Sequence, residues 1–300
     1  MTLFGGSFYI LINNLIDKRV ITPTWYKSSP KEDNMDMYNL KQIPSEAKIR
    51  KYLRVAIFGS SKLICPQCHH SNPVVYENRY RCRRCRCKFS LLSHTWLGNL
   101  KLPLQQWWLL LWCWTRKIPV KQAQDLTLLS EKAVRHWYDQ FRNHLPEEYH
   151  VLENIVQLDE VYFRNWCLLM GKQIGTRKLA YDLIYKSSPG RLEANSFLFQ
   201  KVQPGAKLWT DGASIYKRAE EHWPVEHTVD IHKKFEFTHT SEIEGTFGNL
   251  RTFIRRMYHH TTPEKFPDYV REFCFRFSTP ELFDSPKLYC EKTLILVPRE

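Results

Sequence analysis

No stretch of this 300-residue chain is apolar for long enough to cross a bilayer: the densest run is only Trp107 to Trp114, against about twenty residues needed. The first twenty residues also lack a cationic lead, and Asn13, Asn14 and Asp17 interrupt their apolar patches. A cleaved leader and a membrane partner are therefore not expected. The cysteines lack the even, regular spacing of a secreted disulfide framework. There are nine, with five between Cys65 and Cys87, while Cys113, Cys167, Cys274 and Cys290 stand singly, so a reducing, cytoplasmic setting is expected. Acid is the scarcer charge. Asp and Glu number 31 against 44 Lys and Arg, a net charge of +13 and a pI near 9.3, which favours a polyanionic partner through counterion release. An apolar share of 43% excludes a disordered or fibrous chain.

The length allows one large domain or two to three small ones. Residues 1–34 read as an N-terminal extension that closes in a polar linker over 22–34, with Met35 or Met37 as an alternative start. A lead-in helix is expected over 35–62.

The cysteine cluster sets the next segment, residues 63–92. It contains Cys65-Pro-Gln-Cys68 and Cys82-Arg-Arg-Cys85. Each Cys-x-x-Cys forms a tight knuckle, and two facing knuckles supply the tetrahedral S4 shell of a structural Zn²⁺. A redox dithiol needs only one such pair and a surrounding βαβ pattern, which this region lacks. Cys87 is left over, and His69 or His70 could substitute for a thiolate. Between Glu77 and Ser90 the segment also carries Arg79, Arg81, Arg83, Arg84, Arg86 and Lys88 against one acid. Such charge on a metal-pinned loop points to phosphate contact.

Residues 100–147 are helical in pattern. A tryptophan-rich segment after Pro103 is apolar nearly all round and is expected to be buried. Pro119 suits the first position of a short helix over 120–126, and Ser130 suits the N-cap of the next. That helix carries Val134, Trp137, Tyr138, Phe141 and Leu145 as a core stripe, with Lys132, Arg135, His136 and Arg142 on its other face. A short helix, a tight turn and a basic amphipathic helix make a helix-turn-helix pattern, whose second helix enters the major groove.

From Ile155 the texture changes to short strands: 155–163, 168–174, 179–185 and 206–211, with helices expected over 192–201 and 213–221. Succession of this kind implies an α/β sheet covered by helices. Asp159 and Asp211 lie within or at the end of apolar strands, where an unpaired acid is costly. Two such acids, with a third carboxylate downstream, suggest a divalent-metal cage. The third lies on a helix whose stripe is Ile243, Phe247, Leu250, Ile254 and Met257. Glu242 and Glu244 on it project about 200° apart, so they cannot share one site. Geometry alone leaves both open.

The ordered set of zinc ribbon, helix-turn-helix, LDEVYF, WTDGASIY, HTSEIEGTFGNLR and YVREFCFRFS resembles the DDE transposases of the ISXO-like insertion-sequence group, related to eukaryotic Merlin elements, over about residues 38–278. The resemblance implies a multidomain α+β chain: an N-terminal zinc ribbon, a helix-turn-helix, and a ribonuclease H-like α/β catalytic domain over 151–278, followed by a tail at 279–300. It implies two Mg²⁺ (or Mn²⁺) ions per active site held by Asp159, Asp211 and Glu244, with Arg251 seven residues beyond the glutamate, in addition to one structural Zn²⁺. Arg255, Arg81, Arg83, Arg84, Arg86, Lys88, Lys132, Arg135 and His136 become the candidate DNA contacts. The chain departs from the family pattern at Ser241, where Asn is usual and in some relatives completes the site, at Phe247 for Trp, and at Arg164-Asn165 for Gly.

Function by this reading is DNA transposition: double-stranded DNA as terminal inverted repeats and target, a homodimer or larger synaptic assembly, and action at the bacterial nucleoid, or in the nucleus for a Merlin-like element. A DNA-binding protein with a decayed or repurposed catalytic domain is the alternative. A ribonuclease or structure-selective nuclease fits less well, because the ribbon and helix-turn-helix imply a specific duplex site.

Overall fold

Helix α1 (Glu46–Phe58) starts where Ser45 accepts a hydrogen bond from the Lys48 N–H and stops at Gly59, whose left-handed φ of 66° closes the helix. The computed structural model describes residues 43–60, 62–77, 79–186, 189–230 and 241–296. The N-terminal extension, the alternative starts and the first part of the lead-in segment lie outside the described residues. A small antiparallel sheet follows, made of β1 (Val74–Tyr76), β2 (Arg79–Arg81) and β3 (Lys88–Phe89).

Helix α2 (Leu104–Thr115) is buried along most of its length, with all four of its tryptophans inside. Helix α3 (Val120–Thr127) has Pro119 as its N-cap and not as its first helical residue; it ends at Leu128 in a left-handed conformation. Ser130 then caps α4 (Glu131–Asn143), its hydroxyl accepting from the Ala133 N–H. The expected stripe is buried at Val134, Tyr138 and Phe141. Arg142 is not on the solvent face that its spacing suggested: it is only 1% exposed. Its guanidinium pairs with Glu272 (2.9 Å) and Asp139 (2.6 Å) and donates to the Tyr258 hydroxyl (2.9 Å).

The main sheet begins with an antiparallel meander, β4 (Ile155–Phe163), β5 (Trp166–Gln173) and β6 (Leu179–Tyr185). Helix α5 (Arg191–Lys201) returns the chain to β7 (Lys207–Thr210), which runs parallel to β4. A 3-10 turn at Ser214–Tyr216 and the short α6 (Ala219–His222) lead to β8 (Glu226–Val229), parallel to β7. The strand order is β6-β5-β4-β7-β8. The helix expected over 213–221 is thus broken in two, with Arg218 left-handed (φ 61°) at the break. That break lets Tyr216 and Ala219 both face the core.

Val156, Leu158, Leu169 and Leu208 of the sheet pack with Ala194, Phe197 and Leu198 of α5. Gly171 is required here, because a Cβ would come within 2.7 Å of Leu152 and 3.0 Å of the Phe197 ring. Helices α7 (Ser241–Tyr258) and α8 (Phe266–Ser278) also pack against the meander, α7 on β4 and β5 and α8 on β6. The segment read from sequence as a tail is folded through residue 296: a 3-10 turn at Pro280–Phe283 precedes α9 (Pro286–Thr293), which packs on α1 and α2. Tyr289 of α9 is buried, and its hydroxyl donates to the Phe141 carbonyl.

Glu272 of α8, fully buried, also accepts from Arg276 (2.8 Å) and from the Tyr258 hydroxyl. Arg276 donates in turn to the Trp114 and Thr115 carbonyls at the end of α2. Burial alone would raise the Glu272 carboxyl, but Arg276 and Arg142 outweigh it and hold the group below its usual range. This network joins α2 and α4 to α7 and α8.

Candidate metal centres and nucleic-acid interface

The two cysteine knuckles repeat one backbone pattern. Cys65 N–H donates to the His70 carbonyl and His69 N–H to the Cys65 carbonyl; Cys82 and Arg86 donate likewise to Cys87 and Cys82. His69 (φ 54°) and Arg86 (φ 63°) hold equivalent left-handed positions. The Sγ atoms of Cys65, Cys68, Cys82 and Cys85 all lie within 4.8 Å of one another. The Cys65–Cys85 and Cys68–Cys82 sulfurs are each 3.5 Å apart, close to the roughly 3.8 Å that four Zn–S bonds of about 2.3 Å impose in a tetrahedron. The donor set therefore fits zinc. Cys87 faces the Lys88 carbonyl and stands outside the cage. Burial pushes the Cys65 thiol up to about 12. At Cys82 burial acts in the same direction, but the backbone N–H groups of Cys85 and Arg84 outweigh it and bring the thiol to about 6.

Arg83, Arg84, Arg86 and Lys88 are exposed around this cage. The Lys88 ammonium lies 4.3 Å and the Arg81 guanidinium 5.5 Å from the Tyr76 ring centre, so the ring holds both cations on one side of the small sheet. On α4, Lys132 and His136 are exposed, whereas Arg135 pairs with Glu131 at 2.8 Å.

Asp159 and Asp211 are brought together by strand register. Leu158 and Thr210 form the last pair of the parallel β4–β7 ladder, so the residue after each is an acid at the same edge of the sheet. Asp159 Oδ1 accepts from the Glu160 N–H (2.8 Å), and Asp211 Oδ1 from the Ala213 N–H (3.0 Å). A third carboxylate joins them. One oxygen each of Asp159, Glu160 and Asp211 lies within 4.8 Å of the others. The sequence pattern does not single out Glu160, because strand alternation sends neighbours to opposite faces. Its Oε2 accepts a hydrogen bond from the Tyr216 hydroxyl.

Three negative charges at such spacing repel by about 3–4 kcal/mol per pair at an effective dielectric near 20. Burial first, then Glu160, Asp211 and Glu244, push the Asp159 carboxyl up to about 7, against the lowering effect of the Glu160 N–H. Burial and Asp211 likewise raise Glu160, against the Tyr216 bond. The cluster is all hard carboxylate oxygen, the donor chemistry that Mg²⁺ and Mn²⁺ take.

Helix α7 starts against this edge because Gln157 of β4, itself buried, accepts from the Ile243 N–H (2.8 Å). Glu242 points to Lys172 of β5, 2.6 Å away. Glu244 stands outside the three-carboxylate cluster, yet its charge reaches Asp159. Arg251 and Arg255 are exposed further along α7, and a side chain at Gly248 between them and Glu244 would meet nothing within 4 Å.

Residues 164–278 match the family model described as ISXO2-like transposase domain. That span runs from the β4–β5 turn to the end of α8, with Asp159 and Glu160 just ahead of it. That segment is thus similar to a transposase domain, in keeping with the resemblance to ISXO-like DDE transposases. No curated protein matches. One similar solved structure is that of a simian T-cell lymphotropic virus intasome in complex with the PP2A regulatory subunit B56 gamma, obtained by electron cryomicroscopy. Identity to it is 15% and the TM-score 0.32, over 52% of this chain and 63% of that one. A likeness this slight has no bearing on function. Among the described residues, no helix is long and apolar enough to cross a membrane.

Proposed function

We propose that the chain is a DNA transposase that binds the ends of its insertion sequence and carries out metal-dependent cleavage and strand transfer. The observation that carries this reading is the pairing of Asp159 with Asp211 at the edge of two parallel strands, beside a transposase-family match. A meander followed by two parallel strands, in the order β6-β5-β4-β7-β8, is in keeping with a ribonuclease H-like catalytic domain. Helix α3, the turn at 128–130 and α4 serve as the helix-turn-helix, with α4 as the reading helix.

Asp159 would hold both divalent ions, Asp211 and Glu244 one each; the reach of the Glu244 charge to Asp159 supports Glu244 for that role. Ions so held would supply Lewis-acid activation of the attacking oxygen and stabilisation of the leaving oxygen in an in-line phosphoryl displacement. Arg251 and Arg255 hold phosphate oxygens of the strand lying along α7. Water first cleaves at the element end, and the freed 3′-hydroxyl then displaces a 3′-oxygen in the target strand. The zinc-pinned arginines and the exposed Lys132 and His136 bind the terminal repeats, and two ends are held together by a homodimer or larger assembly.

The test is cleavage of labelled DNA taken from the flanks of the gene, in Mg²⁺ or Mn²⁺, by wild type and Asp159→Asn. Cleavage by the wild type, lost in the variant while DNA binding persists, is the expected result. Tight binding without cleavage by either protein would overturn it in favour of a DNA-binding regulator.

A further inference from the structure

Asp159, Glu160 and Asp211 share an unusual division of labour among their oxygens. Each carboxylate has one oxygen already satisfied by a donor of the fold: the Glu160 N–H for Asp159, the Ala213 N–H for Asp211, and the Tyr216 hydroxyl for Glu160. Tyr216 is itself buried in the core, at the end of the turn that follows Asp211, so its hydroxyl is fixed by packing. Among the described residues, none of the three carboxylates forms a salt bridge with a Lys, Arg or His side chain. Three hard anionic groups have therefore been drawn together, and the hydrogen bonds found hold each in place without neutralising any of them. A cation is the partner that such a set lacks. Glu244 approaches from a separate element, α7, and lies outside the cluster.

We propose that Glu160 is a direct ligand of the divalent cation held by Asp159 and Asp211, that Tyr216 is its positioning residue, and that Glu244 serves the other ion. This rests on the transposase reading for the presence of the cations, and it adds a fourth carboxylate to the three that the reading employs. It accounts for two features that the three-carboxylate site leaves idle. The first is the position of Glu160 beside Asp211 despite strand alternation. The second is the hydroxyl of Tyr216, which the turn after Asp211 brings to Glu160.

The experiment is Mn²⁺ binding to the zinc-loaded full chain without DNA, followed by calorimetry and by the electron paramagnetic resonance of free Mn²⁺. Glu160→Gln is expected to weaken the tighter site at least tenfold. Tyr216→Phe, which keeps the ring, should weaken that site several-fold while circular dichroism is unchanged. Glu244→Gln should leave the tighter site within twofold of wild type, as should Glu242→Gln, whose carboxylate belongs to Lys172. Loss of Mn²⁺ binding in Asp159→Asn with wild-type affinity in both Glu160→Gln and Tyr216→Phe would overturn the role of Glu160 and leave the transposase reading standing. Absence of Mn²⁺ binding by the wild type would overturn both.

Discussion

Replacing Asp159 by Asn removes a charge from a place where the fold tolerates it poorly, and the result should be a more stable metal-free protein. In the folded chain this carboxyl is raised from 3.8 to about 7. Folding therefore favours its protonated form. The stability penalty is absent below pH 4, grows as pH rises from about 4 to 7, and is constant above that. At about 1.4 kcal/mol per pH unit the full displacement corresponds to about 4 kcal/mol. Asp159 is only partly buried, so screening brings the expected gain down to about 1–3 kcal/mol. For a chain of this size that is a rise of about 2–5 °C in Tm. Asn keeps the oxygen that accepts from the Glu160 N–H, so the comparison isolates charge. The assay is thermal unfolding of zinc-loaded protein from about pH 5.5 to 8, in Mg²⁺-free buffer without chelator. The variant's advantage should widen with pH up to about 7. Added Mn²⁺ at about a hundred times its Kd should then stabilise the wild type by about 2.7 kcal/mol and the variant by much less. A variant less stable than wild type at pH 8 without metal would refute the reasoning, since it would show the carboxylate paired with a cation of the fold.

Arg142→Met should cost about 3–5 kcal/mol in urea unfolding, because it leaves a buried acid short of one partner; a loss under 1 kcal/mol would mean that Arg276 alone suffices for Glu272. Cys68→Ser should abolish stoichiometric zinc and expose residues 63–92 to hydrogen exchange, since metal binding supplies on the order of 10 kcal/mol to folds this small. Protection retained there in the zinc-free variant would show that the small sheet stands on its own core. Lys132→Ala should weaken binding to duplex DNA and lower the slope of log K against log salt by about 1; an unchanged slope would remove α4 from the phosphate contacts.

The parts of this molecule that were legible in the sequence are those governed by local rules. Alternating apolar residues bounded by turns located β4 at 155–163 and β6 at 179–185, and the observed strands share those limits. The spacing of the four cysteines was equally informative, because a knuckle is built within a few residues. Long-range partners left no such trace. Arg142 sits among polar residues on a helix with a basic side, and its partner Glu272 is far along the chain. Nothing near it announces burial. The C-terminal helix escaped for a related reason: its apolar residues Tyr289 and Cys290 are too few to make a periodic pattern, and much of what covers the helix, α1 and α2, is far away in the chain. At the carboxylate edge a sound rule misled. Alternation still applies to Asp159 and Glu160, which both lie in the β4–β5 ladder, but the β4–β7 ladder has ended one residue before Asp159, and past that end carboxylates from the two faces can meet.

On the proposed function, the buried ion network bears on how DNA binding and chemistry would be joined. Helix α4 carries the exposed Lys132 and His136 on one side and Arg142 on the other. Arg142 holds Tyr258, the last residue of α7, and Glu272 of α8. At its other end α7 carries Glu244 and is anchored to β4 by Gln157, two residues before Asp159. A single helix thus runs from the network to the edge of the carboxylate site, with packed and hydrogen-bonded attachments at both ends. Apolar burial is non-directional. A guanidinium held by two carboxylates and a hydroxyl fixes direction as well as distance. On the proposed function, this arrangement sets α4 and the carboxylates in a constant relation.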